Sequence, residues 1–238
     1  MKLFGLSRRI ASLIASAILA LTALNVSAQQ NWRWANSLPA SEQWKDVAYG
    51  NGVYVVVGAD ATIATSTDAA TWTIRRMSTA QMGLNGVAFA NGLFVAVGLG
   101  TPDSISSGLV MTSTNGTDWT INSTVASTYN AQYADVLYGG GTWVVAGSGN
   151  SILTSTDGLN WTARSFPGGV IPGTGTYGAG KFILSGNGNT VITSPDGATW
   201  TRIAVAGAIG ASSPYLPDVT FGGGKFVAVG RDSNFVAV

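Results

Sequence analysis

A short turn sequence occurs four times in this 238-residue chain, and its spacing constrains the fold more than any other feature. Each copy begins with Ser, carries Asp or Asn two residues later, and ends on Trp. Successive Trp residues of these copies are 47, 42 and 39 positions apart. A period of this length predicts a repeat architecture in which each copy is one supersecondary unit. The copies are residues 66–72, 113–119, 155–161 and 194–200.

A second block, rich in Val and aromatic residues, precedes each turn and predicts two strands. Residues 47–58 contain a short strand A, a glycine hairpin turn and an apolar strand B. Strand C follows and leads into the Ser-x-Asp turn, and strand D begins at the Trp. Since strand B is apolar on both faces, each unit packs between two neighbours, as a β-propeller blade does. The block recurs at 87–98, 136–147, 175–186 and 219–230, and strand C covers 63–66, 110–113, 152–155 and 191–194.

The two ends of the repeat region predict how the ring closes. Residues 31–36 resemble a strand D without its blade, whereas residues 219–238 supply strands A, B and most of C. We therefore predict an all-β propeller of five four-stranded blades, in which the N-terminal strand completes the last blade and removes two open edges. The alternative is a chain cut from a parent with six or more blades. The predicted propeller spans 29–238, with blades near 45–76, 85–122, 134–165, 174–203 and 217–238 plus 31–36.

The first 28 residues have the pattern of a secretory signal peptide. Lys2, Arg8 and Arg9 precede an apolar stretch at 10–23, and small residues follow at 26–28. The stretch is shorter than a membrane span of about 20 residues, although a retained anchor is the alternative. Ser7-Arg8-Arg9 leaves twin-arginine export open beside the general route. The pattern predicts a secreted or periplasmic protein with no membrane span after signal cleavage.

Charge and composition exclude several classes of function. Residues 29–238 keep nine Lys and Arg against eleven Asp and Glu, so no basic surface for nucleic acid is expected. The chain has no His and no Cys, which excludes Ser-His-Asp and Cys-His catalysis and argues against zinc. A glycosidase needs only two carboxylates and is not excluded by composition.

The Ser-x-Asp-Gly-x-x-Trp turns resemble the Asp-box repeats, also called BNR repeats, of secreted bacterial β-propellers. The resemblance covers residues 31–238 and implies the propeller fold, with these turns lying away from the ligand face. This chain departs from the common form, because its turns are one residue shorter between Asp and Trp, Ala69 replaces Gly, and Asn115 replaces Asp. The family includes sialidases, glycan-degrading enzymes and photosystem assembly factors, so the resemblance does not select one function. Neither the arginine cluster of the sialidases nor the arginine patch of the assembly factors is evident.

Two groups of residues have predicted roles. The first is structural, because Asp and Asn side chains accept backbone hydrogen bonds in tight turns and Trp covers the hairpin; it comprises Asp68, Asn115, Asp157, Asp196, Trp72, Trp119, Trp161 and Trp200. The second lies on the face formed by the D–A and B–C loops and is the candidate ligand site. Its polar members are Asp46, Asp60, Asp103, Asp135, Asp218, Arg231 and Asp232, and its aromatic members are Trp44, Tyr129, Tyr133 and Tyr215.

These residues support a function hypothesis with two branches. A ring of oxygen ligands could hold Ca²⁺ or a hydroxyl-rich sugar, and no other cofactor is expected. The alternative is that each Asp caps its own incoming loop and the aromatic rings fill the channel mouth. We predict an exported, non-enzymatic binding or scaffold propeller that recognises a glycan or an extracytoplasmic protein on its loop face. A carbohydrate-active hydrolase, using two of the loop-face Asp residues, is the second branch.

Overall fold

The structure, a computed structural model, describes residues 43–76, 82–101, 104–128, 131–148, 152–167, 173–186, 190–204 and 215–231. Within these residues the chain forms eighteen β-strands and one short helix. All of them belong to the compact unit that begins at Leu38. The predicted signal peptide and the predicted N-terminal strand at 31–36 lie outside the described residues.

The strands form four antiparallel four-stranded sheets and one two-stranded hairpin, which we call blades 1 to 5 in chain order. Blade 1 comprises β1 (Trp44–Gly50), β2 (Val53–Gly58), β3 (Thr62–Ser66) and β4 (Thr73–Arg76). Blade 2 comprises β5 (Gly83–Ala90), β6 (Leu93–Thr101), β7 (Ser104–Ser113) and β8 (Thr120–Ile121), and α1 (Ser123–Thr128) follows it. Blade 3 comprises β9 (Tyr133–Gly139), β10 (Thr142–Gly147), β11 (Ile152–Ser155) and β12 (Thr162–Arg164). Blade 4 comprises β13 (Gly175–Gly178), β14 (Lys181–Ser185), β15 (Thr190–Ser194) and β16 (Thr201–Ala204). Blade 5 comprises β17 (Tyr215–Gly222) and β18 (Lys225–Arg231).

The predicted four-stranded units are confirmed for blades 1 to 4, with each strand hydrogen-bonded to the next one in the chain. The described part of blade 5 supplies its first two strands. Residues 232–238, which were predicted to add most of its third strand, lie outside the described residues. The described strands contain no closed sheet, so five-blade closure stays a prediction.

The first hairpin of every blade is built in the same way. Its two turn residues both have positive φ angles, for example 49° at Asn51 and 78° at Gly52. This geometry matches the twist of antiparallel strands and explains the recurrent Asn and Gly. Beside each turn two aromatic rings face each other across the strands, as Tyr49 does with Tyr54 at a centroid distance of 4.5 Å. The equivalent pairs are Phe89–Phe94, Tyr138–Trp143, Tyr177–Phe182 and Phe221–Phe226.

The four Ser-x-Asp turns at the end of strand C share the hydrogen bonds that the Asp or Asn side chain accepts. In blade 3, the Asp157 carboxylate accepts hydrogen bonds from the backbone N–H groups of Leu159 and Asn160, both at 2.8 Å. The Ser155 hydroxyl donates to the same carboxylate and accepts from the Gly158 N–H. The Trp161 indole then donates to the Gly158 carbonyl and closes the turn. Asp68, Asn115 and Asp196 accept the corresponding pairs of backbone hydrogen bonds.

Neighbouring blades pack face to face through the two sides of strand B. In blade 1, Val55 and Val57 point toward blade 2 and join its Phe94, Ala96 and Met111 in one buried cluster. A second cluster joins blades 2 and 3, and a third joins blades 3 and 4. The apolar character of strand B on both faces therefore has the predicted cause, which is burial between two neighbours.

A ring-on-glycine contact accompanies this packing near the first hairpin. A side chain at Gly50 would meet the Phe89 ring of blade 2 at 2.1 Å, so the ring lies directly on the glycine. Tyr177 of blade 4 lies in the same way on Gly139 of blade 3. Phe221 of blade 5 lies on Gly178 of blade 4. The glycine is needed here because any Cβ would occupy the space of the ring.

Candidate functional site

The first strands of all five blades line one cavity of about 390 Å³. These strands, β1, β5, β9, β13 and β17, each lie beside the next one in chain order. We call this space the axial cavity. Its polar lining consists of Lys45, Asp46, Asn85, Asp135, Thr174, Thr176, Asp218 and Thr220.

A β-bulge in four of these strands positions the cavity residues. In β1 one extra residue, Lys45, separates the pairs Trp44–Gly58 and Asp46–Val57. The strands β5, β9 and β17 have a comparable irregularity near Asn85, Ala134 and residues 216–217. A bulge re-aims the side chains that follow it. It precedes Asp46, Asp135 and Asp218, and the three carboxylates line the same space.

Two of the three carboxylates connect neighbouring blades. Asp46 accepts one hydrogen bond from its own neighbour, the Val47 N–H, and a second from the Val87 N–H of blade 2, both at 2.8 Å. Asp135 accepts from the Val136 N–H at 2.7 Å and from the Gly175 N–H of blade 4 at 2.8 Å. Each of these side chains therefore caps its own strand and joins it to the next blade.

Other polar side chains make the remaining described connections around the axis. Asn85 of blade 2 donates to the Tyr133 carbonyl of blade 3 at 2.7 Å. Thr174 of blade 4 donates to the Pro217 carbonyl at 2.7 Å and to Asp218 at 3.2 Å. Asp218 also accepts from the Val219 N–H and is exposed on the cavity wall. The polar lining thus links each blade to the next from blade 1 to blade 5.

Burial in the cavity favours protonation of two of its carboxylates, Asp46 and Asp135. Burial raises the pKa of Asp135 to about 7, and the charges of Asp46 and Asp218 act in the same direction. Hydrogen bonds from Gly175 and Val136 lower this pKa without offsetting the burial. Burial also raises the pKa of Asp46, against the opposing effect of its two backbone hydrogen bonds. The cavity therefore gains negative charge as the pH rises through neutrality.

The other predicted ligand residues are distributed over several environments. Asp60 is exposed in the loop between β2 and β3, where its φ angle is 52°. Trp44 is half-buried and lines a groove on the face of blade 1 that points away from blade 2. Tyr133 is fully buried in the cluster between blades 2 and 3. The backbones of Tyr215 and Arg231 pair at the start of blade 5. Asp103, Tyr129 and Asp232 lie outside the described residues.

The described part of the chain lacks two features, a metal-binding cluster and a membrane-spanning helix. It contains no group of three or more Asp or Glu side chains arranged to hold a metal ion. Across the same residues, no helix is long and apolar enough to span a membrane. The suggested Ca²⁺ site therefore has no geometric support among the described carboxylates.

The sequence itself matches no protein-family profile and no curated protein. Solved structures do match. A structure of YCF48 bound to a D1 peptide is 15% identical, covers 86% of this chain and 69% of that chain, and gives a TM-score of 0.59. The WD40 β-propeller domain of Doa1 is 11% identical, covers 82% of this chain and 64% of that chain, and gives a TM-score of 0.58. A Bombyx mori β-fructofuranosidase in complex with sucrose is 12% identical over 79% of this chain and 54% of that chain, with a TM-score of 0.46.

The fold is a β-propeller. At these levels of identity the likeness shows the fold alone, and the chain spans 69% and 64% of the first two matched chains. Within this fold, the axial cavity is the central channel onto which the first strand of each blade faces. The described loops at one end of the channel contain Asp60, α1 and the segment before β13. That end is the predicted loop face.

Proposed function

We propose that this propeller is an exported binding or scaffold protein, without catalytic activity, that holds an extended peptide at the loop-face end of its axial cavity. The observation that carries the proposal is the charge of the cavity. Asp46, Asp135 and Asp218 come from three different blades, and Lys45 is the one basic side chain in the lining. Because burial raises the pKa of Asp135 to about 7, the negative charge of the cavity increases as the pH rises through neutrality. Such a cavity attracts the cationic side chain of a Lys or Arg in an extended segment.

A peptide fits these residues better than a glycan does. Sugar rings are commonly bound on exposed aromatic faces. Of the predicted aromatic residues, Tyr133 is buried in the core, and Trp44 lies on the face of blade 1 that points away from blade 2. A peptide is also the bound partner in the YCF48 structure, which makes this ligand class the first one to test. A glycan is the alternative outcome of the same experiment.

The hydrolase branch receives less support from the geometry. A glycosidase needs one carboxylic acid to protonate the leaving group and one carboxylate to attack or to activate water. Both oxygens of Asp46 and both oxygens of Asp135 accept backbone hydrogen bonds. These carboxylates therefore connect neighbouring blades. This role agrees with the alternative in which the loop-face Asp residues are structural.

The Asp-box kinship and the export route are parts of the same proposal. The four equivalent Ser-x-Asp turns support the kinship, because each one uses the same carboxylate or amide oxygen, hydroxyl and backbone donors. The basic start, apolar stretch and small residues of positions 1–28 support cleavage and a periplasmic or secreted location. Fractionation of cells that express the full chain, with the mature N-terminus sequenced, tests the export route.

Selection from a library of random octapeptides tests the binding proposal. We expect the selected sequences to be enriched in Arg or Lys, and Asp218→Asn to weaken their binding about two- to fivefold, the range for losing one exposed ion pair. Asp60→Asn is the matched control, because it removes the same charge from the loop face outside the cavity and Asn tolerates the left-handed backbone there.

Three results would contradict the proposal. The first is selected peptides without a cationic residue. The second is equal weakening by Asp218→Asn and Asp60→Asn. The third is a melting temperature that rises with a soluble glycan and with no selected peptide, which would indicate a glycan-binding site.

A further inference from the structure

The described blade interfaces are built from the same two complementary halves. One half comes from strand B of the leading blade, whose residues facing the next blade are fully buried in blades 1 to 3. The other half comes from strand A of the following blade, whose Val is buried in blades 2, 3 and 5. In blade 4 the corresponding residues are Ile183 and Gly175, which are half-buried. The first half includes Val55, Val57, Val95, Val97, Val144 and Ala146, all at 0% exposure. The second half includes Val87, Val136 and Val219, at 2% to 4% exposure.

Blade 1 presents the second half without a partner on it. Val47, which occupies the position of Val87 and Val136, is 55% exposed, and Tyr49 is 58% exposed. Beside them lies a groove of about 420 Å³. Its apolar lining is formed by Trp44, Val47, Tyr54, Val56, Ala69 and Trp72. In blade 2 the corresponding surface around Phe94 and Trp119 receives Val53, Val55 and Val57 of blade 1.

Blade 5 presents the first half, also exposed. Val227 and Val229 occupy the strand B positions of Val55 and Val57, and they are 52% and 47% exposed. Gly222 occupies the position of Gly50, Gly139 and Gly178, on which an aromatic ring lies in three other blades. A Cβ at Gly222 would have no atom within 4 Å. Blade 5 therefore has the glycine and the valines of an interface, and blade 1 has the ring and the groove.

We propose that these two surfaces dock onto each other within one chain. Tyr49 of blade 1 then lies on Gly222 of blade 5, and Val227 and Val229 enter the groove beside Trp72 and Tyr54. This contact repeats the geometry of the internal interfaces and needs no new kind of interaction. It does not depend on the proposed ligand or on the predicted strand at 31–36.

Two observations favour docking within the chain over docking between copies. The first strands of blades 1 and 5 border the same axial cavity, and the charge of Asp218 in blade 5 raises the pKa of Asp46 in blade 1 across it. Surfaces held on one chain meet at a high effective concentration, so the intramolecular contact forms before an intermolecular one. A contact between copies would also be head-to-tail, which generates open polymers unless the rotation closes.

A cysteine pair tests the proposal directly, because the chain has no Cys of its own. The double variant Tyr49→Cys with Gly222→Cys, in the mature chain, is exposed to mild oxidation and analysed on a non-reducing gel. We expect a monomer whose two thiols are lost together. The pair Gly139→Cys with Tyr177→Cys is the positive control, since the structure already brings those two positions together. Each single variant is the negative control.

These outcomes distinguish docking within one chain, docking between copies and no docking. Disulfide-linked dimers and larger species would show docking between copies and overturn the proposal. Two free thiols, under conditions that oxidise the control pair, would overturn it as well.

A second measurement does not depend on disulfide geometry. If Tyr49 lies on Gly222, Gly222→Ala lowers the melting temperature as Gly139→Ala does, and combination with Tyr49→Ala removes most of that effect. A melting temperature of Gly222→Ala equal to that of the parent protein would contradict the docking.

Discussion

The pKa of Asp135 predicts that the propeller loses stability as the pH rises from 5 to 8. Its folded-state pKa of about 7 lies above the ordinary value of 3.8, because burial disfavours the charged form. The folded protein therefore binds a proton that the unfolded chain has released. The stabilisation is complete below pH 3.8 and is lost as the pH rises through about 7. The raised pKa of Asp46 adds a change of the same sign.

The magnitude follows from the difference between the two pKa values. One pKa unit corresponds to about 1.4 kcal/mol, so the free energy of unfolding falls by about 2–3 kcal/mol between pH 5 and pH 8. For a propeller of this size, that change lowers the melting temperature by about 5 to 10 °C. Because the chain has no His and no Cys, no such side chain contributes to the pH dependence of stability in this range.

Thermal unfolding followed by circular dichroism at pH 5, 6, 7 and 8 measures this effect. Asp135→Asn removes the titrating group and turns an NH₂ toward the Val136 or the Gly175 N–H, so it costs about 1–3 kcal/mol at pH 5. We expect most of the pH dependence to disappear in this variant. Asp60→Asn, at an exposed carboxylate outside the cavity, is the control that keeps it. A parent protein with a constant melting temperature from pH 5 to pH 8 would refute the reasoning, as would an Asp135→Asn variant that keeps the full slope.

Two further predictions concern the Ser-x-Asp turns. Ala69 has a φ angle of 57° where Gly116, Gly158 and Gly197 have 74° to 77°, so Ala69→Gly should relieve backbone strain and raise the free energy of unfolding in urea by about 0.5–1 kcal/mol. A loss of stability would show that the methyl group of Ala69 makes a compensating contact. Asp157→Ala removes the acceptor of the Leu159 and Asn160 N–H groups and should cost about 1–2 kcal/mol by the same assay. An unchanged midpoint would mean that water replaces the carboxylate without loss.

The strands were predictable because their signals are local. The two-residue turn at Asn51–Gly52 and the alternation of Val55, Val56 and Val57 are read within a dozen residues of the chain. The helix α1 was missed, although it has a local signal: Asn122 precedes it and accepts a hydrogen bond from the Val125 N–H. The sequence analysis assigned that segment to a long loop instead.

The candidate site was less predictable because its geometry depends on distant partners. The hydrogen bonds of Asp46 and Asp135 to the next blade join residues 41 and 40 positions apart, and no local pattern indicates such pairing. Tyr133 was predicted as a loop-face residue, whereas the structure places its ring in the core. The bulge at Ala134 explains this placement, because one extra residue exchanges the two faces of a strand. A bulge has no reliable signature in a single sequence.

The uniformity of the blade interfaces has a consequence for how such a chain can change in length. Each of blades 2 and 3 presents one surface of the first kind and one of the second kind. An in-frame duplication of either of them would therefore insert a unit that already fits both of its new neighbours. No compensating substitution at either junction would be required. The number of units in a chain of this design is thus limited by the curvature of the array and not by recognition between particular blades.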